Sequence, residues 1–304
     1  MSKISIRVKW QVLRTRLYLE HLKWRNFLAS GIIFILLVAA LITCYTILGA
    51  ENIWITLAAA SGNALHFCEL NRVDALIKQP ANTWSNLAYI PVGLVIISLG
   101  FADLKQGMER RKSDNFLVRY PILSIVFGFC TLYVGIGSFL YHASLTSVFQ
   151  KHDQMGMYAL VLTILVFSLY RIFPTIKLFG KWKSFHVTGL IVAAIFFVLI
   201  YTVWATLNIN TVFPIMILLV LASHLYYEVF IKKSAAFSNY MIGGFVCLAS
   251  GFTIWMLDRS HIICSPESWL QGHAIWHILT ASSALFMYMY YRTDTAPVSE
   301  KLRY

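Results

Sequence analysis

The stretch Gly135–Asp153, GIGSFLYHASLTSVFQKHD, decides the reading of the chain: one long apolar segment ends in it, a short polar connection follows, and the next apolar segment begins. Ser138 and His142 are four residues apart, so on a helix they share a face. Asp153 comes eleven residues after His142, at the start of the following segment. A serine, an imidazole and a carboxylate gathered at one membrane boundary form a chemical constellation, and the remaining sequence reads as the scaffold that completes it.

Working outward, the 304 residues are 59% hydrophobic and only 12% charged, with a mean hydropathy of +0.68. The apolar runs leave no soluble stretch large enough to bury a core, so one polytopic, all-α transmembrane bundle is expected. A helix needs about 20 apolar residues to cross roughly 30 Å of hydrocarbon. Stretches near 27–49, 82–101, 119–141, 153–171, 185–205, 211–230, 239–257 and 271–291 meet that demand. The first run is too long for the apolar core of a cleavable signal, so it reads as a retained span. The expected organisation is therefore a basic tail (1–26), an extra span (27–49), a long outer loop (50–81), a seven-helix core (82–291) and a short tail (292–304).

A net charge of +12 raises the question of nucleic acid, but the basic residues flank apolar segments and form no patch with interleaved aromatics. They are topology signals. Lys3, Arg7, Lys9, Arg14, Arg16, Lys23 and Arg25 precede the first span, and of the 25 Lys and Arg only Arg72, Lys78, Lys151 and Arg259 fall in the segments on the other side. The positive-inside rule then puts both termini in the cytoplasm. The outer side collects the unusual residues, among them His66, Cys68, Glu69, Asn71, His142, Asp153, Asp258, Cys264, His273 and His277.

His273-Ala274-Ile275-Trp276-His277 opens the last span, and histidines at i and i+4 can reach one metal ion from one helical face. An isolated pair would as readily bind water or lipid headgroups. If His142 approaches, three imidazoles meet at one depth, and three histidines with a free fourth position describe a catalytic zinc site. Imidazole alone also admits copper, iron or nickel; zinc is preferred because no redox partner motif is visible. Asp153 is then placed to accept the proton of an activated water, and Ser138 to hold that water or donate to an oxyanion. Each has a blander role: Ser138 as a small residue at a tight helix contact beside Gly135 and Gly137, Asp153 as a helix N-cap. His66, His152 and His261 lack helical spacing to the trio and read as surface or supporting residues. His224, inside a span, is ambiguous: an ionisable residue there is a functional candidate by default, with a neutral imidazole hydrogen-bonded to a neighbouring helix as the favoured reading. Of the five cysteines only Cys68 and Cys264 lie in outer connections, which predicts a disulfide between them.

Three blocks resemble the alkaline ceramidases. GIGSFLYHASL…QKHD resembles their G-x-G-S-x-x-x-H…D block, QGHAIWHILTA their H-A-x-W-H-x-L block, and Cys68-Glu69-x-Asn71 followed by Asn82-Thr83-Trp84-Ser85-Asn86 their C-E-x-N…N-T-x-S-N opening. The resemblance spans roughly residues 66–291. It implies a seven-helix core, zinc on His142, His273 and His277, a water-facing pair in Ser138 and Asp153, and the Cys68–Cys264 bond. Two departures stand out. This chain adds a tail and a span before the first block, and His66 and Gln79 replace two carboxylates of the family's calcium site. Calcium prefers several hard anionic oxygens, so Glu69 and Asn71 are left to hold a weakened ion or simply to cap the loop.

The expectation is a zinc-dependent intramembrane hydrolase cleaving the amide of ceramide or a related N-acyl lipid to a fatty acid and a long-chain amine. The alternatives are a hydrolase of other lipid esters, or a zinc-containing seven-helix lipid receptor similar to the adiponectin and progestin receptor relatives. A haem protein is disfavoured, because the trio does not form two opposed axial positions. The site faces the lumen, periplasm or exterior of a bacterial inner membrane or a eukaryotic secretory membrane.

Overall fold

The computed structural model describes residues 24–48, 52–60, 67–108, 113–178, 181–234 and 237–294. The basic tail before Trp24, His66 and most of the C-terminal tail lie outside these residues. The chain is a helical bundle. In order it forms α1 (Trp24–Leu48), a short α2 (Pro80–Ser85) continued through a 3-10 turn into α3 (Tyr89–Lys105), α4 (Phe116–Arg119), α5 (Pro121–Ser144), α6 (Ser147–Ile172), α7 (Phe185–Thr202), α8 (Ile209–Tyr226), α9 (Asn239–Arg259) and α10 (Gly272–Thr293). Among the described residues, seven helices are long and apolar enough to cross a membrane, from α1 near the N-terminus to α9. The last, α10, has 22 residues but falls short of that apolarity, because its inward face carries His273, His277, Ser283, Tyr288, Tyr290 and Tyr291.

Packing explains which helices matter to the site. The buried core runs through α3, α5, α6 and α10, where Ile96, Leu123, Phe127, Met155, Phe167 and Tyr288 have no measurable exposure. By contrast α1 rests mainly on α3 and turns its apolar side chains outward, with Ile35 66% and Ile47 78% exposed. An apolar helix with an exposed apolar surface is what lipid rather than protein would cover.

The helix ends correct two expectations. The sequence reading starts the span of Asp153 at that residue, whereas α6 begins at Ser147 with Thr146 in the N-cap position. Asp153 therefore lies inside the helix and is not its N-cap. Leu145, in the left-handed region at φ 48°, ends α5 and turns the chain into α6. That turn is pinned from outside: Ala60 N donates to Leu145 O and Ser147 N to Ala58 O, each at 2.9 Å. The connection between α6 and α7 contains a hairpin of Thr175–Leu178 and Lys181–Ser184.

The end opposite the histidines is closed by buried charges. Arg171 pairs with Asp294 at 2.6 Å and Glu228 at 3.2 Å, Arg292 pairs with Asp103, and Asn115 donates to the carbonyls of Tyr291, Arg292 and Asp294 at the end of α10. Pairing makes such charges tolerable away from water. His224 is part of this half. It contacts Ser168 and Val220 O through Nδ1 and Tyr291 through Nε2, as an imidazole bridging helices does.

Candidate metal and catalytic site

Glycine sets the approach of the two helices that carry Ser138, His142 and Asp153. A Cβ placed at Gly137 would lie 2.8 Å from His152 O and 3.1 Å from Asp153 N, so α5 rests directly on the backbone of α6. The close-contact role weighed for Ser138 thus belongs to Gly137. Ser138 itself is buried, hydrogen-bonds Asp153, and lies 3.5 Å from His277 Nε2.

The histidines of α5 and α10 converge. Their ligand nitrogens lie within 4.8 Å of one another, with His142 Nε2 and His273 Nε2 only 3.1 Å apart. All three are buried, at 1%, 6% and 3% exposure for His142, His273 and His277. The ring orientations follow from polar partners that the sequence reading did not assign. Gln79, fully buried, holds His142 Nδ1 at 2.7 Å through Oε1, while its Nε2 donates to Asn71 Oδ1. An amide oxygen only accepts, so His142 carries its proton on Nδ1 and presents a lone pair on Nε2. Ser85 Oγ meets His277 Nδ1 at 2.8 Å.

His273 is held through its backbone and its ring face. Buried Asp258 accepts from His273 N at 3.1 Å with one carboxylate oxygen and from Cys68 N at 3.2 Å with the other. It thereby places a negative charge at the start of α10, where free N–H groups and the helix dipole favour one. Phe67 stacks on the His273 ring with centroids 4.0 Å apart. Cys68 and Cys264 are disulfide-bonded, tying this loop to the entrance of α10.

The donor set fits a transition-metal ion. Three imidazoles gather their nitrogen atoms, and His142 Nε2 and His273 Nε2 lie 3.1 Å apart, within hydrogen-bond distance of each other. Neutral imidazoles gathered in this way can share one cation. Gln79→Leu, which removes the acceptor from His142, is expected to weaken metal binding by about 10–100-fold. Metal retention during dialysis against a graded chelator measures this, and unchanged retention would remove Gln79 from the site.

The calcium expectation fares differently. Both oxygens of Glu69 are engaged, by Ala81 N at 2.7 Å and Asn82 N at 2.8 Å. Arg72 stands 3.7 Å from the same carboxylate, and Asn71 is occupied by Gln79. Burial raises the Glu69 carboxyl above its usual range, against the lowering effect of those backbone donors and of Arg72. A calcium shell needs six to eight oxygens. These side chains cap α2 and do not assemble one. His152 bonds Tyr133 and exposed His261 lies beside Cys264, so neither joins the trio.

His273 and His277 open onto a cavity of about 940 Å³. Ser138, Asp153, His273 and His277 line one end. Ile217, Val220, Phe245 and Met287 line the apolar part between α8, α9 and α10, and Gln150, Gln154, Asn208, Asn210 and Arg259 supply polar groups. Buried imidazoles, a hydroxyl and a carboxyl at the head of a largely apolar cavity are an arrangement that could receive a lipid with its polar part at the cluster.

No curated protein matches the chain. The ceramidase family model matches residues 60–302, which takes in every residue of the site and leaves α1 outside. With four-fifths of its length under that match, the helical bundle and its buried histidine trio belong to a member of the ceramidase family.

Proposed function

We propose that the protein is a zinc-dependent intramembrane amidase that hydrolyses ceramide or a closely related N-acyl lipid. The observation that carries this is the meeting of His142, His273 and His277 with Ser138 and Asp153 at the head of an apolar cavity. Family membership supports amide hydrolysis of ceramide; the choice of zinc rests on the three-imidazole donor set.

His142, His273 and His277 would hold the zinc ion, and the chemistry it would supply there is polarisation of the amide carbonyl and acidification of water. The protein's own groups do the rest. The apolar walls hold the acyl chains and exclude bulk water from the reacting carbon. Asp153 takes a proton from the attacking water and delivers it to the departing nitrogen. Ser138, between Asp153 and His277, donates to the oxygen on which negative charge develops. One water is consumed: its oxygen bonds to the carbonyl carbon, the C–N bond breaks, and the products are a fatty acid and a long-chain amine. Gln79, Ser85 and Asp258 act through the histidines and are positioning residues.

In this reading α1 is an accessory span, the seven-helix core from α2 to α10 is the enzyme, both termini are cytoplasmic, and the site faces the opposite side. The test is metal content and ceramide hydrolysis on one detergent-purified sample. About one zinc per chain with turnover that a chelator removes and zinc restores is expected. Turnover by metal-free protein would refute the mechanism, and zinc without turnover of any amide would refute the amidase.

A further inference from the structure

The cavity contains one full positive charge that amide hydrolysis, as argued above, does not use. Arg259, at the last turn of α9, lines the same cavity as Ser138, Asp153 and His273. It is half-buried. Among the described residues no carboxylate lies within ion-pair distance, and its one aromatic neighbour, Trp255, has its ring centre 5.4 Å from the guanidinium carbon. Arg259 directly follows Asp258, whose carboxylate accepts from His273 N at 3.1 Å. The guanidinium therefore belongs to the reacting end of the cavity and not to the apolar end lined by Val220 and Met287.

An unpaired guanidinium beside water is stable, but a lipid filling the cavity removes that water. A neutral diol headgroup leaves the charge desolvated with weak partners, which costs binding energy. A carboxylate, phosphate or sulfonate compensates it with paired, charge-assisted hydrogen bonds that the planar guanidinium is shaped to make. Gln150, Gln154 and the Asn208–Asn210 pair at the same cavity offer amide donors for the remaining oxygens.

From this we infer that the preferred substrate is an N-acyl lipid bearing an anionic group within a few atoms of the amide nitrogen, and that Arg259 is its specificity determinant. The inference rests on the amidase reading and names the substrate class within it. The product on the amine side then keeps its anion, so Arg259 faces a group that is negative before and after the bond breaks.

The test uses the full chain in detergent and lipids of matched acyl length: ceramide, ceramide phosphate, and N-acylglycine as the carboxylate case. Two readouts are taken, kcat/KM with the zinc-loaded protein and displacement of a fluorescent fatty amide from the metal-free protein. A charge-assisted contact predicts about a 10- to 100-fold advantage for the anionic lipids in both. Arg259→Gln is expected to bring that ratio close to one, and Arg259→Lys to restore part of it. An equal response to neutral and anionic lipids in the unaltered protein overturns the proposal. So does a ratio that Arg259→Gln leaves intact, as an arginine that only reaches membrane headgroups would give. Preference for phosphate over carboxylate, or the reverse, identifies which anion the site was built for. If no lipid is hydrolysed, the amidase reading fails while displacement still decides the anion preference. If ceramide is hydrolysed without preference, only the preference fails.

Discussion

In His277→Ala protein, bound zinc is expected to fall from about one per chain to background, and ceramide hydrolysis with it. His277 supplies one of three imidazoles whose nitrogens lie within 4.8 Å of one another, and two imidazoles on separate helices leave the ion short of the three protein ligands a catalytic site uses. The same side chain orients its neighbours: Ser85 Oγ at Nδ1 and Ser138 Oγ at Nε2 lose their partner together. Without activated water and carbonyl polarisation, the remaining Ser138–Asp153 pair has no strong nucleophile to serve, so the loss should reach the assay floor. Metal analysis and product release on one sample check this. Because removing a buried ring also leaves a void, thermal unfolding of the metal-free parent and of the variant is compared. Similar midpoints assign the loss to the ligand, and a variant that keeps zinc and turnover removes His277 from the metal site.

The membrane spans and the site were unequally legible in the sequence. The spans could be read because a membrane demands long apolar runs, and the Ser138–His142 and His273–His277 pairs because helical periodicity converts spacing into a shared face. The partners of those histidines could not. Gln79 and His142 are 63 residues apart and Ser85 and His277 are 192 apart, and no local pattern encodes a contact between one helix end and another. Gln79 was noticed only as a missing carboxylate, although its amide holds the Nδ1 proton of His142. Asp258 reads from the sequence only as a residue expected on the outer side, with no role, since its task depends on α9 ending beside the start of α10.

The position of Asp153 shows a different limit. Apolar counting begins the span where hydropathy rises and passes over the polar first turn, Ser147 to His152, that is already helical. The misplacement matters chemically. As an N-cap, Asp153 would spend its oxygens on backbone N–H groups. Inside α6, lying against Gly137 of α5, its carboxyl is free to face Ser138 and the cavity.

That freedom gives the second large effect. Asp153→Asn is expected to lower kcat by about 100- to 10,000-fold while zinc content stays at the level of the parent protein. Asparagine keeps the size of the side chain and still meets the Ser138 hydroxyl, but it cannot take a proton from water or return one to nitrogen. The three histidines proposed to hold the metal lie on α5 and α10, so replacing a residue of α6 spares them. The pH profile provides the sharper discrimination. A carboxylate that must be ionised to accept a proton makes the parent rate fall as acid protonates it. The variant has no such group, so its residual rate should lose that acidic limb. Loss of zinc in Asp153→Asn would recast Asp153 as part of the metal's support, and retention of full turnover would leave the proton transfer to another group. Retained zinc, a depressed kcat and a missing acidic limb occur together only if Asp153 moves the proton.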